Sequence, residues 1–349
     1  MRLDKFANIF LLTIIIGGGA LYLFNEQEQQ VADQDAGHVY LTNLANKINQ
    51  VNQVVISESD KTTHLLLKND TWGVVEKDGY PADFSKVKQL ILTLSDMKTV
   101  ESKTSKAENY GRLGVQTVGD KGDEESRQIQ LLDKAGNVIE TVIIGKKRIS
   151  KSPGSGASLY VRKATEQQSW LVTGDIVLPR SQKDWLNAAV INIEDSRIQS
   201  VKIRHTDKTE LAIAKKDKTD KHFSVENLSE KIELKSESVA DSIANVLQNL
   251  TLNDAAARGK FKIADDAITH VDFMTFDELV IMAKLAKKDD KQYIWFDTKT
   301  NSDDENTKAE SQKLNETFAL WVYEIPEFKA KEMAKKIDDL IKQPEDNKS

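Results

Sequence analysis

The sequence has 349 residues, of which 39% are hydrophobic, 7% aromatic and 30% charged, a composition that argues against a disordered chain and against many membrane spans. The formal net charge is −6 and the first 24 residues carry +1, so the rest carries −7 by subtraction, which argues against a nucleic-acid partner. Cysteine is absent, so disulfides, thiolate metal sites and cysteine nucleophiles are excluded, and the length favours two domains.

An uncharged apolar segment runs from residue 6 to residue 24, with only Asn8 and Thr13 as polar interruptions. As a helix it would be roughly 28 Å long, which matches the hydrocarbon core of a bilayer. Arg2 and Lys5 precede the segment and acidic residues follow it. The positive-inside rule therefore predicts a single-pass inner-membrane anchor with a cytoplasmic N-terminus and a periplasmic body.

A cleaved signal peptide is the alternative interpretation of this segment, with Gly18 and Ala20 as the small residues of a processing site. The apolar run continues through residues 21–24, past that site, which favours the uncleaved anchor. Residues 25–38 are polar and lack periodicity, so they predict a tether between the anchor and the body.

The first part of the body predicts a meander of strands, a helix and further strands. Apolar residues alternate with polar ones after the tether, and the spacing becomes helical after Asp83, which is placed to cap the helix. The predicted elements are strands at 54–56, 65–67, 72–74, 129–132, 138–144, 159–161 and 170–172, a helix over 84–94, and a short helix ending near Trp185 and Leu186.

A second copy of this order begins 147 positions later, where Val201 and Ile203 correspond to Val54 and Ile56. Such a repeat predicts an α+β fold with two tandem domains of antiparallel strands and packed helices. We predict domains at 39–187 and 188–342 and a polar tail at 343–349. The predicted elements of the second copy are strands at 201–203, 211–213, 222–225, 271–276, 279–285, 293–296 and 318–323, and helices over 239–250 and 329–341.

Several short motifs are spread over most of residues 38–260. They are Trp72; Tyr80, Pro81, Ala82 and Asp83; Tyr110, Gly111, Leu113 and Gly114; Ile144 and Gly145; Leu159, Tyr160 and Val161; and Trp185 and Leu186 running into Ile191, Ile193, Arg197 and Ile198. Together they resemble the bacterial DUF4340 family. The chain departs from the family pattern at Arg112, which interrupts the motif, and no proline follows. The resemblance implies an N-terminal membrane segment, a repeated exported region and an association with ABC-type export systems similar to gliding-motility transporters.

The residues give no recognisable catalytic, cofactor-binding or metal-binding constellation. The five histidines, His38, His64, His205, His222 and His270, are scattered, and no pair has the i, i+4 spacing of a zinc helix. Ser155 lies between Gly154 and Gly156, which fails the G-x-S-x-G spacing of a nucleophile elbow. We therefore predict no catalytic, cofactor or metal residues, and surface or loop positions for His64, His205, Ser155 and Asp265.

The acidic clusters and the tryptophans also have patterns that are typical of structural roles. Asp265 with Asp266, and residues 303–305, lie in polar stretches that predict solvated loops without an EF-hand pattern. Trp72, Trp170, Trp185, Trp295 and Trp321 are the five residues that stacking on a sugar would use, but most of them lie in apolar strand patterns that predict core packing.

These observations favour a membrane-anchored periplasmic accessory or scaffold protein, not an enzyme, that acts by protein contact. The membrane through residues 6–24 and ABC-type permease subunits are the expected partners. Two alternatives remain open: a cell-envelope glycan-binding module, and a hydrolase whose residues come from separated parts of the chain.

Overall fold

The computed structural model describes residues 36–120, 124–148, 156–229 and 231–342. The predicted anchor at 6–24, most of the tether and the polar tail lie outside these residues. Within the described ranges, no helix has the length and apolar character needed to cross a membrane.

The described chain is an α+β fold dominated by antiparallel sheets, as predicted. Its helices are α1 (Thr42–Lys47), α2 (Phe84–Asp96), α3 (Tyr110–Leu113), α4 (Asp241–Ala244), α5 (Glu305–Phe318), α6 (Glu327–Met333) and α7 (Ile337–Leu340). Its strands are β1 (Gln53–Ser57), β2 (Thr62–Lys68), β3 (Thr71–Val74), β4 (Tyr80–Pro81), β5 (Thr99–Ser102), β6 (Arg127–Leu132), β7 (Val138–Arg148), β8 (Ser158–Lys163), β9 (Ser169–Thr173), β10 (Ala189–Ile191), β11 (Ile198–Arg204), β12 (Glu210–Ala214), β13 (Ser224–Val225), β14 (Leu250–Thr251), β15 (Asp254–Ala257), β16 (Thr269–Thr275), β17 (Leu279–Lys288), β18 (Lys291–Thr300) and β19 (Trp321–Ile325).

The chain forms two compact units. The first comprises the described residues up to Glu76 and those from Ala82 to Arg180, and the second comprises Lys77–Pro81 and the described residues from Ser181 onward. Within the second unit, the ring of Tyr80 lies 4.9 Å from the ring of Trp321 and 6.3 Å from that of Tyr323. The second unit is therefore built from two separate stretches of sequence.

Both large sheets have the same strand order. The nine-stranded sheet runs β4-β3-β2-β1-β6-β7-β8-β9-β5, and the eight-stranded sheet runs β13-β12-β11-β16-β17-β18-β19-β15. Apart from β4, each strand of the nine-stranded sheet has a counterpart at the same position in the eight-stranded sheet. The predicted sharing of strand order and connectivity is therefore confirmed. β10 and β14 form a separate two-stranded sheet.

The alternation of apolar and polar residues along the strands also determines which residues form the core. Val54 and Ile56 on β1 are buried, and so are Val201 and Ile203 at the corresponding positions of β11. Because successive side chains of a strand point to opposite faces, this alternation directs one face of each sheet to the interior.

Helix α2 begins where the sequence predicts it. The Asp83 carboxylate accepts hydrogen bonds from the backbone N–H groups of Ser85 and Lys86 at 3.0 and 3.3 Å, which satisfies amides that the helix itself leaves unpaired. The buried face of the helix consists mainly of Val87, Leu90, Ile91 and Leu94.

The second unit differs from the prediction at its helices. The loop predicted at residues 303–305 is wrong for Glu305, which begins α5, with Asp304 as its N-cap. Phe318, predicted as the start of a strand, is the last residue of α5. The helix predicted over 329–341 is two short helices, α6 and α7, and the helix predicted over 239–250 is only α4 followed by a 3-10 turn and β14.

Candidate functional site

Two of the five histidines lie beside a carboxylate that is distant in sequence. His64 Nδ1 lies 2.5 Å from Glu76 Oε1, and His222 Nδ1 lies 2.7 Å from Asp241 Oδ2. Asp241 also accepts a hydrogen bond from the backbone N–H of Phe223 at 2.9 Å. A search by sequence spacing misses these pairs because hairpin and loop geometry, not helical spacing, brings the partners together.

His205 lies in the loop between β11 and β12, one of the two kinds of position predicted for it, but it is buried, with 9% of its surface exposed. It directly follows β11 and begins the turn into β12, where its backbone N–H donates to Thr209 O at 2.9 Å. Burial lowers the pKa of His205 below its usual range, and the charge of Lys336 acts in the same direction. His38 is exposed and His270 is half-buried on β16.

The remaining sequence candidates do not converge. Ser155 lies outside the described residues, while Asp265 and Asp266 are exposed in a 3-10 turn. Asp304 is occupied as a helix cap, since it accepts from the backbone N–H of Thr307 at 2.9 Å. In the ranges that the structure describes, no group of three or more histidine, aspartate or glutamate side chains is arranged to hold a metal ion.

The tryptophans are largely interior. Trp72, Trp185, Trp295 and Trp321 are buried, and Trp170 on β9 is half-buried. Stacking on a sugar requires an open aromatic face, so these positions favour core packing over a glycan platform.

One serine and lysine pair comes near to a nucleophile arrangement. Lys335 Nζ lies 2.9 Å from Ser242 Oγ and 2.5 Å from Glu332 Oε2. An activated serine needs a neighbour that accepts its proton. Here the lysine is bound to a carboxylate and donates to the serine oxygen, so the pair resembles a structural tie between α4 and the segment after α6.

Two family motifs of the first unit, Ile144–Gly145 and the one that contains Leu159, line an open cleft of about 540 Å³. Its apolar wall includes Ile144 and Leu159 from the motifs, together with Ile176 and Leu178. Charged residues, among them Lys146 and Glu125, form the rim. The full lining is Glu124, Glu125, Arg127, Ile144, Gly145, Lys146, Lys147, Leu159, Ile176 and Leu178.

Gly145 explains how two of these motifs are joined. A Cβ atom at this position would lie 2.2 Å from Leu113 O and 2.8 Å from Gly114 O, so only glycine lets β7 approach the end of α3. Gly114 itself has a φ of +67°, in the left-handed region that favours glycine at the end of a helix. Ser126 Oγ donates to Gly114 O at 3.0 Å and fixes the junction from the other side.

Tyr110 and Arg162 brace the junction from within. The guanidinium of Arg162 lies 4.6 Å from the centre of the Tyr110 ring, and the Tyr110 hydroxyl donates to Gln167 O at 2.5 Å. Arg162 is 5% exposed and donates to Val115 O, Glu166 O and Thr117 Oγ1, each at 3.1 Å. The first motif after α2 therefore has a packing role that supports the cleft.

The rim of the cleft is paired within the chain. Lys146 Nζ lies 2.6 Å from Glu125 Oε2, Lys147 contacts Asp175, and Arg127 Nε lies 3.4 Å from Glu58 Oε1. Ion pairs as exposed as the first two contribute about 0–1 kcal/mol. A partner that brings its own charges to the rim can exchange these pairs at small cost.

A shallower groove of about 430 Å³ follows the exposed face of α2. Leu92 is its main apolar residue and is 41% exposed, and Phe84 at the start of the same helix is 60% exposed. The rest of this groove is polar, with Lys88 and Asp96 of α2 and Thr173 at the end of β9 among its lining residues.

Comparison with known proteins gives one family. No curated protein matches the sequence. The model of a family described as a domain of unknown function, DUF4340, matches residues 72–267, a range that begins at Trp72 and includes the motifs that form the cleft. Since this match covers more than half of the chain, the chain belongs to the DUF4340 family.

Proposed function

We propose that this chain is a membrane-anchored periplasmic accessory or scaffold protein that acts by protein contact and associates with an ABC-type transport system. The observation that carries the proposal is the cleft of the first unit. Three residues of the family motifs line it, and the lysine and arginine side chains on its rim are ion-paired within the first unit. These are properties of a contact surface, whereas a reaction centre needs a group poised to accept or donate a proton.

The apolar segment at residues 6–24 and the tether at 25–38 support the membrane part of the proposal. A body held by a short flexible linker has a high effective concentration near other membrane proteins, so an interface of modest affinity suffices. The association with ABC-type permease subunits comes from the family resemblance, which supplies the candidate partner to test.

Site-specific photocrosslinking in intact cells tests the cleft as a contact surface. A photoreactive residue at Lys146 on the rim is compared with one at Lys134, in the exposed turn at the other end of the β6–β7 hairpin. We expect Lys146 to crosslink to a permease subunit and Lys134 not to. Equal yields at the two positions, or crosslinks from Lys146 to soluble proteins only, would contradict the proposal.

Single alanine substitutions at His64, His205, Ser155, Asp265 and Ser242 are the accompanying test. If the chain works by contact, each variant that folds retains its function in cells. Loss of function in one variant whose unfolding transition is unchanged would instead favour the hydrolase alternative.

A further inference from the structure

The C-terminal end of the second unit lies against a buried histidine. Lys336, between α6 and α7, contacts the carboxylate of Asp207 in the β11–β12 turn, and its backbone N–H donates to Asp339 at 2.8 Å. His205 is in the same turn as Asp207, and its Nε2 atom is buried without a hydrogen-bond partner. An unpaired buried polar atom of this kind is uncommon and calls for an explanation.

We propose that His205 is the pH-sensitive element of a latch, closed at neutral pH, that holds residues 336–342 against the β11–β12 turn. This inference concerns the second unit alone and does not depend on the proposed function. When His205 is neutral, Nε2 is a buried acceptor without a proton, and Lys336 stays on Asp207. When His205 gains a proton, the buried ring carries a positive charge, and this charge lies close to that of Lys336.

Burial and the charged groups around His205 decide whether acid favours the open or the closed latch. Burial is the largest influence, and it lowers the pKa of His205, as does the charge of Lys336. Asp207 from the same turn and Asp339 from α7 act in the opposite direction, and so does a hydrogen bond with the backbone of Lys335. The lowering influences prevail, so the closed state binds a proton less readily than an open state in which the ring is in water.

The difference in the pKa of His205 between the closed and open states fixes the direction of the pH effect. The closed latch has a histidine pKa below the usual value of 6.5, so closure is fully favoured above that pH and weakens as the pH falls below it. The ratio of open to closed molecules rises by at most about tenfold for each pKa unit that separates the two states.

The moving part is short and is held to residues 233–235 by backbone and side-chain hydrogen bonds. Leu340 of α7 is fully buried, and its carbonyl accepts from the backbone N–H of Lys235 at 2.8 Å. The Lys235 side chain also donates to Asp339 O at 2.8 Å, and Lys342 contacts Glu233 through both its backbone N–H and its side chain. Opening breaks these contacts, leaves β11 and β12 paired, and exposes the apolar site that Leu340 fills.

Hydrogen–deuterium exchange of the full chain, corrected for the intrinsic rate at each pH, tests the latch. Between about pH 8 and about pH 5, we expect the protection of peptides covering 336–342 to fall several-fold in the wild type, and the protection of β18 and β19 to stay constant. The His205→Gln variant, which keeps a polar side chain that does not titrate, should show no such fall. His270→Gln is the matched control, because burial also lowers the pKa of His270, and this variant should keep the acid response.

Lys336→Gln gives an independent readout if His205→Gln fails to fold. Removing the neighbouring positive charge raises the pKa of His205 in the closed state, so the acid response should be smaller in amplitude. An acid response of equal size in the wild type and in His205→Gln would overturn the proposal. So would a loss of protection spread evenly over the whole unit.

Discussion

Gly145 lies where a side chain has no room, because the carbonyl oxygens of Leu113 and Gly114 both approach the position that a Cβ atom would occupy. The contact is with backbone, which cannot rotate away as a flexible side chain does. The spacing between β7 and the end of α3 therefore depends on the absence of one carbon atom, and the cleft depends on that spacing.

We predict that Gly145→Ala destabilises the first unit by at least about 2 kcal/mol, because the strand and the helix end must separate to admit the methyl group. Chemical denaturation monitored by circular dichroism measures the loss. Gly156→Ala is the control, since a Cβ atom at Gly156 meets nothing within 4 Å and its cost should stay within about 0.5 kcal/mol. Equal costs at the two glycines would show that the close approach is not what restricts position 145.

At the scale of elements, the N-terminal end of helix α2 is stabilised by a side-chain cap. Asp83 bonds two of the first free amides, whereas the last residue of the helix, Asp96, is exposed. A carboxylate is also favourable at this end because the helix dipole is positive there.

We predict that Asp83→Ala destabilises the first unit by about 1 kcal/mol, while Asp83→Asn, which keeps an accepting oxygen, costs a few tenths. Thermal unfolding of the two variants side by side measures the difference. If Asp83→Asn loses as much stability as Asp83→Ala, the cap acts through charge and not through its hydrogen bonds.

The elements that were predictable from sequence have a strong pattern of their own. The strands with alternating apolar residues and the capped helix α2 were confirmed, because their periodicity reflects which face is buried. Helix α5 was missed because its buried residues are mainly Thr307 and Ser311, with Phe318 at its end, so it shows no apolar stripe. The helix contacts β18 through polar groups instead; for example, Thr298 Oγ1 donates a hydrogen bond to Ser311 O at 2.8 Å.

The candidate cleft was less accessible to sequence reasoning. The motif after α2 and the Ile144–Gly145 motif are separate in the sequence, and nothing in their spacing indicates that the two backbones meet. That contact depends on strand β7 passing the end of α3, which is a property of the tertiary fold. Glycine at 145 was the available signal, since a glycine inside an apolar strand indicates a close approach of backbone.

At the scale of the whole molecule, we expect the apolar segment at residues 6–24 to hold the body at a membrane. We predict that the protein stays in the membrane fraction after alkaline or high-salt washing, because an apolar segment of this length binds far more firmly than surface charge does. Cell fractionation and immunoblotting measure this. A mature protein that starts at Leu21 and is found in the soluble fraction would show that the segment is a cleaved signal peptide.

Deleting residues 1–24 and exporting the body by another signal supplies the matched control. The released body should fold but lose most of its function in cells, because its effective concentration near membrane partners falls. Full function of the released body would mean that tethering is not required.

The placement of Tyr80 in the second unit sets an order of events during synthesis. Its ring partners, Trp321 and Tyr323, are made about 240 residues later, which at about 5–20 residues per second is a delay of roughly 12 to 50 seconds. Throughout that time Tyr80 lacks both of these ring partners. A chain cut short before β19 therefore leaves one face of this ring uncovered that the complete second unit buries.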